Sequence, residues 1–87
     1  MSYQIEILPS AQRELDALPV QVRERVDKAI EVLAINPRPP GVIAMQGYRG
    51  LLRLRVGSYR VIYQVDDALF VVTVVQVGHR REIYRRR

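Results

Sequence analysis

The 87-residue chain has no cysteine and one histidine, His79. Without thiols there is no disulfide framework, no thiolate nucleophile and no thiolate-ligated metal, and one imidazole is too few for a histidine zinc site. Long hydrophobic runs are also missing. The longest apolar stretch, Ala68–Val75, is interrupted by Thr73 and falls far short of the ~20 residues that cross a bilayer. Residues Met1–Leu8 lack the charged start and apolar centre of a secretion signal, so a cytoplasmic protein with no membrane partner is expected. Repeats and low-complexity segments are absent. What remains suits one domain: 48% hydrophobic residues are enough for a globular chain of this size to bury roughly 60–65% of its extended surface.

Acidic residues are scarce in one part of the chain. Residues 1–48 carry five basic and six acidic side chains, whereas residues 49–87 carry nine basic and three acidic ones. The whole net charge of +5 therefore belongs to the C-terminal part, and such asymmetry points to a polyanionic partner.

Tyr3, Ile5 and Ile7 alternate with polar residues, as in a half-buried strand. Pro9 and Ser10 close it, and Ser10 is expected to cap a short helix beginning at Ala11. Leu15 and Leu18 would face a core, with Arg13, Glu14 and Asp16 in water. Pro19 suits the first turn of a second helix. In it Val22, Val26, Ile30 and Leu33 recur at helical spacing until Asn36-Pro37. The segment Asn36-Pro-Arg-Pro-Pro-Gly41 reads as a rigid connector. Strands are then expected at Leu51–Val56, Tyr59–Val65 and about Leu69–Val77, with Gly57-Ser58 forming a type II′ hairpin turn. The order β-α-α-β-β-β is α+β: a helical hairpin packed on a small antiparallel sheet, residues 1–87 forming one domain.

Across a two-residue turn, Arg55 falls directly opposite Arg60, and Arg53 lies two residues away on the same face. Like charges opposed on a sheet are destabilising, so a surface needing only solubility would seldom choose this pattern. An anion site would offset the repulsion when phosphate binds. Whether Arg80, or instead His79 and Arg81, turns towards that face depends on the length of the loop beginning at Asp66. Tyr84 could pack the C-terminal segment or stack on an unpaired base. The Arg85-Arg86-Arg87 tail suits a non-specific electrostatic arm.

The stretch Tyr48-Arg-Gly-Leu-Leu-Arg-Leu-Arg-Val-Gly-Ser-Tyr-Arg-Val-Ile-Tyr63, followed by Val77-Gly-His-Arg-Arg-Glu-Ile-Tyr84, resembles the RelE branch of the RelE/ParE toxin superfamily. The resemblance extends to Pro9-Ser-Ala11, Leu15-Asp-Ala-Leu-Pro19 and the proline-rich connector. It implies the toxin of a type II toxin–antitoxin system that cuts mRNA on the ribosome, without metal or other cofactor, by attack of a ribose 2′-hydroxyl on the adjacent phosphate. A RelB-like antitoxin would silence it, and the toxin–antitoxin complex would bind DNA through the antitoxin. By position, the catalytic set carried over is Arg53, Arg55, Arg60, Arg80 and Tyr84, with His79 and Arg81 as RNA-binding residues.

The chain departs from the ribonuclease pattern where that family carries lysines, at Arg53 and Arg55. Arginine effectively cannot lose its proton, so neither residue is a general base. Clamping the phosphate and stabilising its charge are the roles left to them. Proton transfer would fall to Tyr84, His79 or a ribosomal group. On the same fold, a ParE-like toxin would instead inhibit DNA gyrase without being an enzyme, and a plain RNA-binding module would bind without cutting.

Overall fold

The computed structural model describes residues 2–79. Strand β1 (Gln4–Ile7) leads into helix α1 (Pro9–Asp16), helix α2 (Val20–Ile35), the two-residue strand β2 (Ile43–Ala44), and strands β3 (Leu52–Val56), β4 (Tyr59–Asp66) and β5 (Val71–His79). The five strands form one sheet in the order β1-β5-β4-β3-β2. Both helices pack on one face. The α+β class and element order match expectation, with two additions. β2 pairs with β3, and β1 lies parallel to β5, with Gln4 beside Val71 and Ile7 beside Val74, so the sheet is mixed. The two-helix crossover between β1 and the later strands makes the parallel pairing possible.

Helix α1 starts at Pro9, two residues before the expected Ala11, and Leu8 occupies the cap position without a side-chain cap bond. Proline's fixed φ suits a first helical turn, and that overrides the capping preference of Ser10. Ala11 and Leu15 of α1 and Val26, Ile30 and Leu33 of α2 meet Val61, Tyr63, Val72, Val74 and Val77 of the sheet in the core. The helical spacings of four, four and three therefore lie where the pattern placed them. The amide of Tyr3 donates to Ala34 at 2.6 Å, tying the start of the sheet to the end of α2. Among the described residues, no helix is long and apolar enough to cross a membrane.

Strand β4 is the centre of the sheet and is covered on both faces over Arg60–Tyr63. Val61 and Tyr63 face the helices. Ile62, 2% exposed, lies outside that core cluster, on the opposite face with Arg60. Strand β5 begins at Val71 rather than Leu69, because Phe70 takes φ +56°, a left-handed conformation that ends the turn. Before it, the Asp66 carboxylate accepts the amides of Ala68 and Leu69, both at 3.0 Å, closing an Asx turn.

Candidate nucleic-acid interface

The hairpin at Gly57-Ser58 aligns the arginines. Gly57 has φ +61° and Ser58 does not share that left-handed region, as a type II′ turn requires. The register then pairs Val56 with Tyr59, Arg55 with Arg60 and Arg53 with Ile62. Leu52, Leu54 and Val56 turn towards the helices and pack against the core, so Arg53 and Arg55 share the other face. Arg60 is the one charged residue buried among those described, at 8% exposure. Arg53 is half-buried and Arg55 exposed. The Arg55 Nε–H donates to the Gly57 carbonyl at 3.2 Å, which fixes the root of its guanidinium beside the turn.

A bulge completes the arrangement on the other side of Arg60. From Asp66 opposite Val71 to Tyr63 opposite Val74 the pairing is regular. Ile62 then pairs with Gln76, and Val75 is skipped. One extra residue reverses the facing of everything after it. Val77 enters the core, and Gly78 comes to stand opposite Arg60. Loop length was expected to decide this parity. In fact the four-residue loop Asp67–Phe70 and the bulge decide it together.

The bulge has a polar anchor that the sequence pattern did not reveal. The Val77 amide donates to the Glu14 carboxylate of α1 at 2.8 Å. Glu14, expected in water, is half-buried against the sheet and is a positioning residue. Its signal in the sequence is slight: it adjoins Leu15 and lies three residues after Ala11, both fully buried in the core.

His79 lands elsewhere. It pairs with Tyr59, on the face of Val61 rather than that of Arg60, and the two rings meet edge-on at 5.5 Å and 83°. The structure thus brings Arg53, Arg55 and Arg60 together and separates His79 from them. Arg80, Arg81 and Tyr84 lie outside the described residues. Among those described, no cluster of three histidine, aspartate or glutamate side chains could hold a metal ion.

The far end of β4 has the opposite electrostatics. Asp67 accepts both outer nitrogens of Arg38, at 3.1 and 2.9 Å, and the Tyr3 hydroxyl at 2.7 Å. The Arg38 hydrogen bonds, followed by that of Tyr3, hold the Asp67 carboxyl below the usual carboxylate range. Nearby, the Tyr63 hydroxyl donates to the Pro37 carbonyl at 2.7 Å, and burial pushes the Tyr63 phenol up to about 12. These contacts pin the proline-rich connector to the sheet.

An arginine face with one guanidinium sunk into a sheet can grip a phosphate and stabilise charge growing on it. A family model described as the ParE toxin of type II toxin–antitoxin systems matches residues 5–84. Toxin RelG of Mycobacterium tuberculosis is 32% identical over 99% of this chain and 100% of its own length. The mRNA interferase toxin RelE of Escherichia coli K12 is 33% identical, over 97% of this chain and 92% of its own. Among solved structures, the RelBE2 toxin–antitoxin complex of Mycobacterium tuberculosis superposes with a TM-score of 0.81 at 26% identity, covering 91% of this chain and 99% of its counterpart. The chain belongs to the RelE/ParE superfamily of type II toxin–antitoxin toxins.

Proposed function

We propose that this toxin is an mRNA endoribonuclease that acts on the translating ribosome and is held inactive by a RelB-like antitoxin. The observation that supports the reading best is the direct opposition of Arg55 and Arg60, with Arg60 buried at 8% exposure. In the proposed reaction the 2′-hydroxyl oxygen attacks the adjacent phosphorus. The P–O5′ bond breaks, leaving a 2′,3′-cyclic phosphate and a 5′-hydroxyl. Arg55 and Arg60 bind the non-bridging oxygens and stabilise the extra negative charge of the transition state, the role a metal would otherwise fill. Arg53 lines the approach on the same face, and Arg80 joins the clamp.

Arginine stays protonated throughout, so the 2′-hydroxyl proton goes to Tyr84 or to a ribosomal group. Positive neighbours would lower the tyrosine's pKa from its reference near 10. A toxin whose arginines cannot take the proton suits activity that waits for the ribosome. Purified protein should therefore cut mRNA on ribosomes and leave naked RNA nearly untouched.

One observation favours a second reading, a gyrase inhibitor of the ParE type: the description of the matching family model. Primer extension on a translated message after induction separates the two. Truncated products are expected with wild type and not with Arg60→Ala. DNA breaks beside intact transcripts would overturn the ribonuclease reading.

A further inference from the structure

Arg25 lies on α2, outside the arginine face, and the local sequence gives it no counter-charge. Its neighbours three and four residues away are Gln21, Val22, Lys28 and Ala29. Among the described residues it makes no ion pair. Arg23, by contrast, is held by Asp16 at 3.4 Å and by Asp27 at 4.0 Å. The guanidinium of Arg25 reaches the hairpin tip instead: its Nη2 is 3.5 Å from where a Cβ on Gly57 would stand. The carbonyl of that same glycine receives the Arg55 Nε–H. Two guanidinium groups, one from a helix and one from a strand, thus converge on a single residue. The hollow beside it, about 280 Å³, is lined by Val22, Arg25, Val56, Gly57, Ser58 and Tyr59, none of them acidic.

Converging cations without a counter-charge mark a place that an anion would stabilise. Gly57 leaves the tip bare, so a ligand can come close to the backbone, and the Ser58 hydroxyl is a further donor. Gly57 lies two residues beyond Arg55, about 7 Å along the strand. That is the order of one nucleotide step. We propose that Arg25, with Ser58 and the outer nitrogens of Arg55, forms a second phosphate subsite that holds the RNA backbone next to the phosphate gripped by Arg55 and Arg60. The proposal rests on the RNA-cleaving reading above. A phosphate contact positions the strand and carries no sequence information, so the subsite adds affinity and not codon preference.

The test uses the full-length protein and a fluorescent single-stranded oligoribonucleotide, 2′-O-methylated so that it cannot be cut, titrated over a range of salt concentrations. Arg25→Gln is compared with wild type and with Arg13→Gln, an equal loss of charge at an exposed position on α1. Arg25→Gln should weaken binding about 5–10-fold at low salt and lower the slope of log K against log salt by ~0.7, one single-strand phosphate contact. Arg13→Gln should change affinity less than about twofold. On ribosomes Arg25→Gln should raise KM and keep kcat. Equal losses in both variants, no loss in Arg25→Gln, or no binding by wild type would overturn the subsite. So would a loss seen against a polyglutamate peptide and not against the oligonucleotide. If Arg25→Gln loses oligonucleotide binding while wild type cuts no mRNA on ribosomes, the subsite stands as an RNA contact and the ribonuclease reading fails.

Discussion

Strand β4 runs from Tyr59 to Asp66, and the molecule treats its two ends in opposite ways. At the aspartate end, Arg38, Asp67 and Tyr3 satisfy one another through a bidentate ion pair and a short phenol hydrogen bond. At the arginine end, Arg55 stands opposite Arg60, and Arg25 reaches the same turn from α2. Opposite charges that close on themselves stabilise a connection and leave little to offer a ligand. Like charges opposed across a sheet cost stability unless something offsets them. The first arrangement is a clasp and the second, on the reading proposed above, is the phosphate site, so substitutions at the two ends should fail in different assays.

The largest effect belongs to Arg60. Arg60→Ala should lower ribosome-dependent cleavage by about 10²–10³-fold, the usual loss when a donor to a developing oxyanion is removed. The melting temperature should also fall, because the truncation empties a buried position of the sheet. Quantified primer extension and thermal unfolding on the same preparations check both halves. A variant that cuts normally but melts early would make Arg60 structural and erase the contrast between the two ends.

Next comes Glu14, which controls the site from the other side of the sheet. Glu14→Ala leaves the Val77 amide without its acceptor, and a bond to a charged group is worth about 1.5–3 kcal/mol. Chemical denaturation should show a loss in that range. Cleavage should fall too, because the bulge is what places Gly78 beside Arg60. Glu14→Gln keeps an acceptor oxygen and should recover most of both.

What could be read along the chain, and what could not, follows the range of the interactions. The two helices, the Gly57-Ser58 turn and the opposition of Arg55 and Arg60 depend on residues a few positions apart, and periodicity reports them faithfully. The parallel β1–β5 pair links residues 67 apart, and the Val77 amide beside the bulge is anchored 63 residues away in α1. Neither leaves a local pattern. The run Val71–Val77 looks uniform in sequence because valine suits both faces, which conceals the residue where facing reverses. Arg25 was legible only as an absence, a helix arginine with no acid three or four residues away, and its meaning appears when the hairpin tip is seen beneath it. Glu14 misled for a related reason: a carboxylate between Arg13 and Leu15 reads as surface until the Val77 amide is found opposite it.

Tyr63 sharpens the contrast at the clasp end. Its phenol has a folded pKa of about 12, against an ordinary value near 10, because burial disfavours the phenolate. A folded value raised above the unfolded one gives stability that is fully present below pH ~10 and is lost as the pH rises through ~12. Wild type should therefore weaken steeply between those limits, as followed by denaturant midpoint. Tyr63→Phe should cost about 1 kcal/mol at neutral pH, since the Pro37 carbonyl loses its donor, and should flatten the alkaline decline. Cleavage per folded molecule should be unchanged.

Asp67→Asn should have the smallest effect, and its direction tests the clasp itself. The pair with Arg38 is exposed, with side-chain accessibilities of 52% and 56%, so water and salt screen it. Asp67 has a depressed pKa, so its contribution is present above the ordinary carboxylate pKa and disappears as the pH falls through the folded value. At neutral pH and low salt, Asp67→Asn should lower the melting temperature slightly. The gap from wild type should close both as the pH falls through that folded value and in 1 M salt, where the Debye length is about 3 Å. Binding of RNA should be unaffected, or rise by no more than the gain of one unit of positive charge explains. A variant that lost RNA binding instead would mean that the connector, and not the hairpin end alone, takes part in holding the strand.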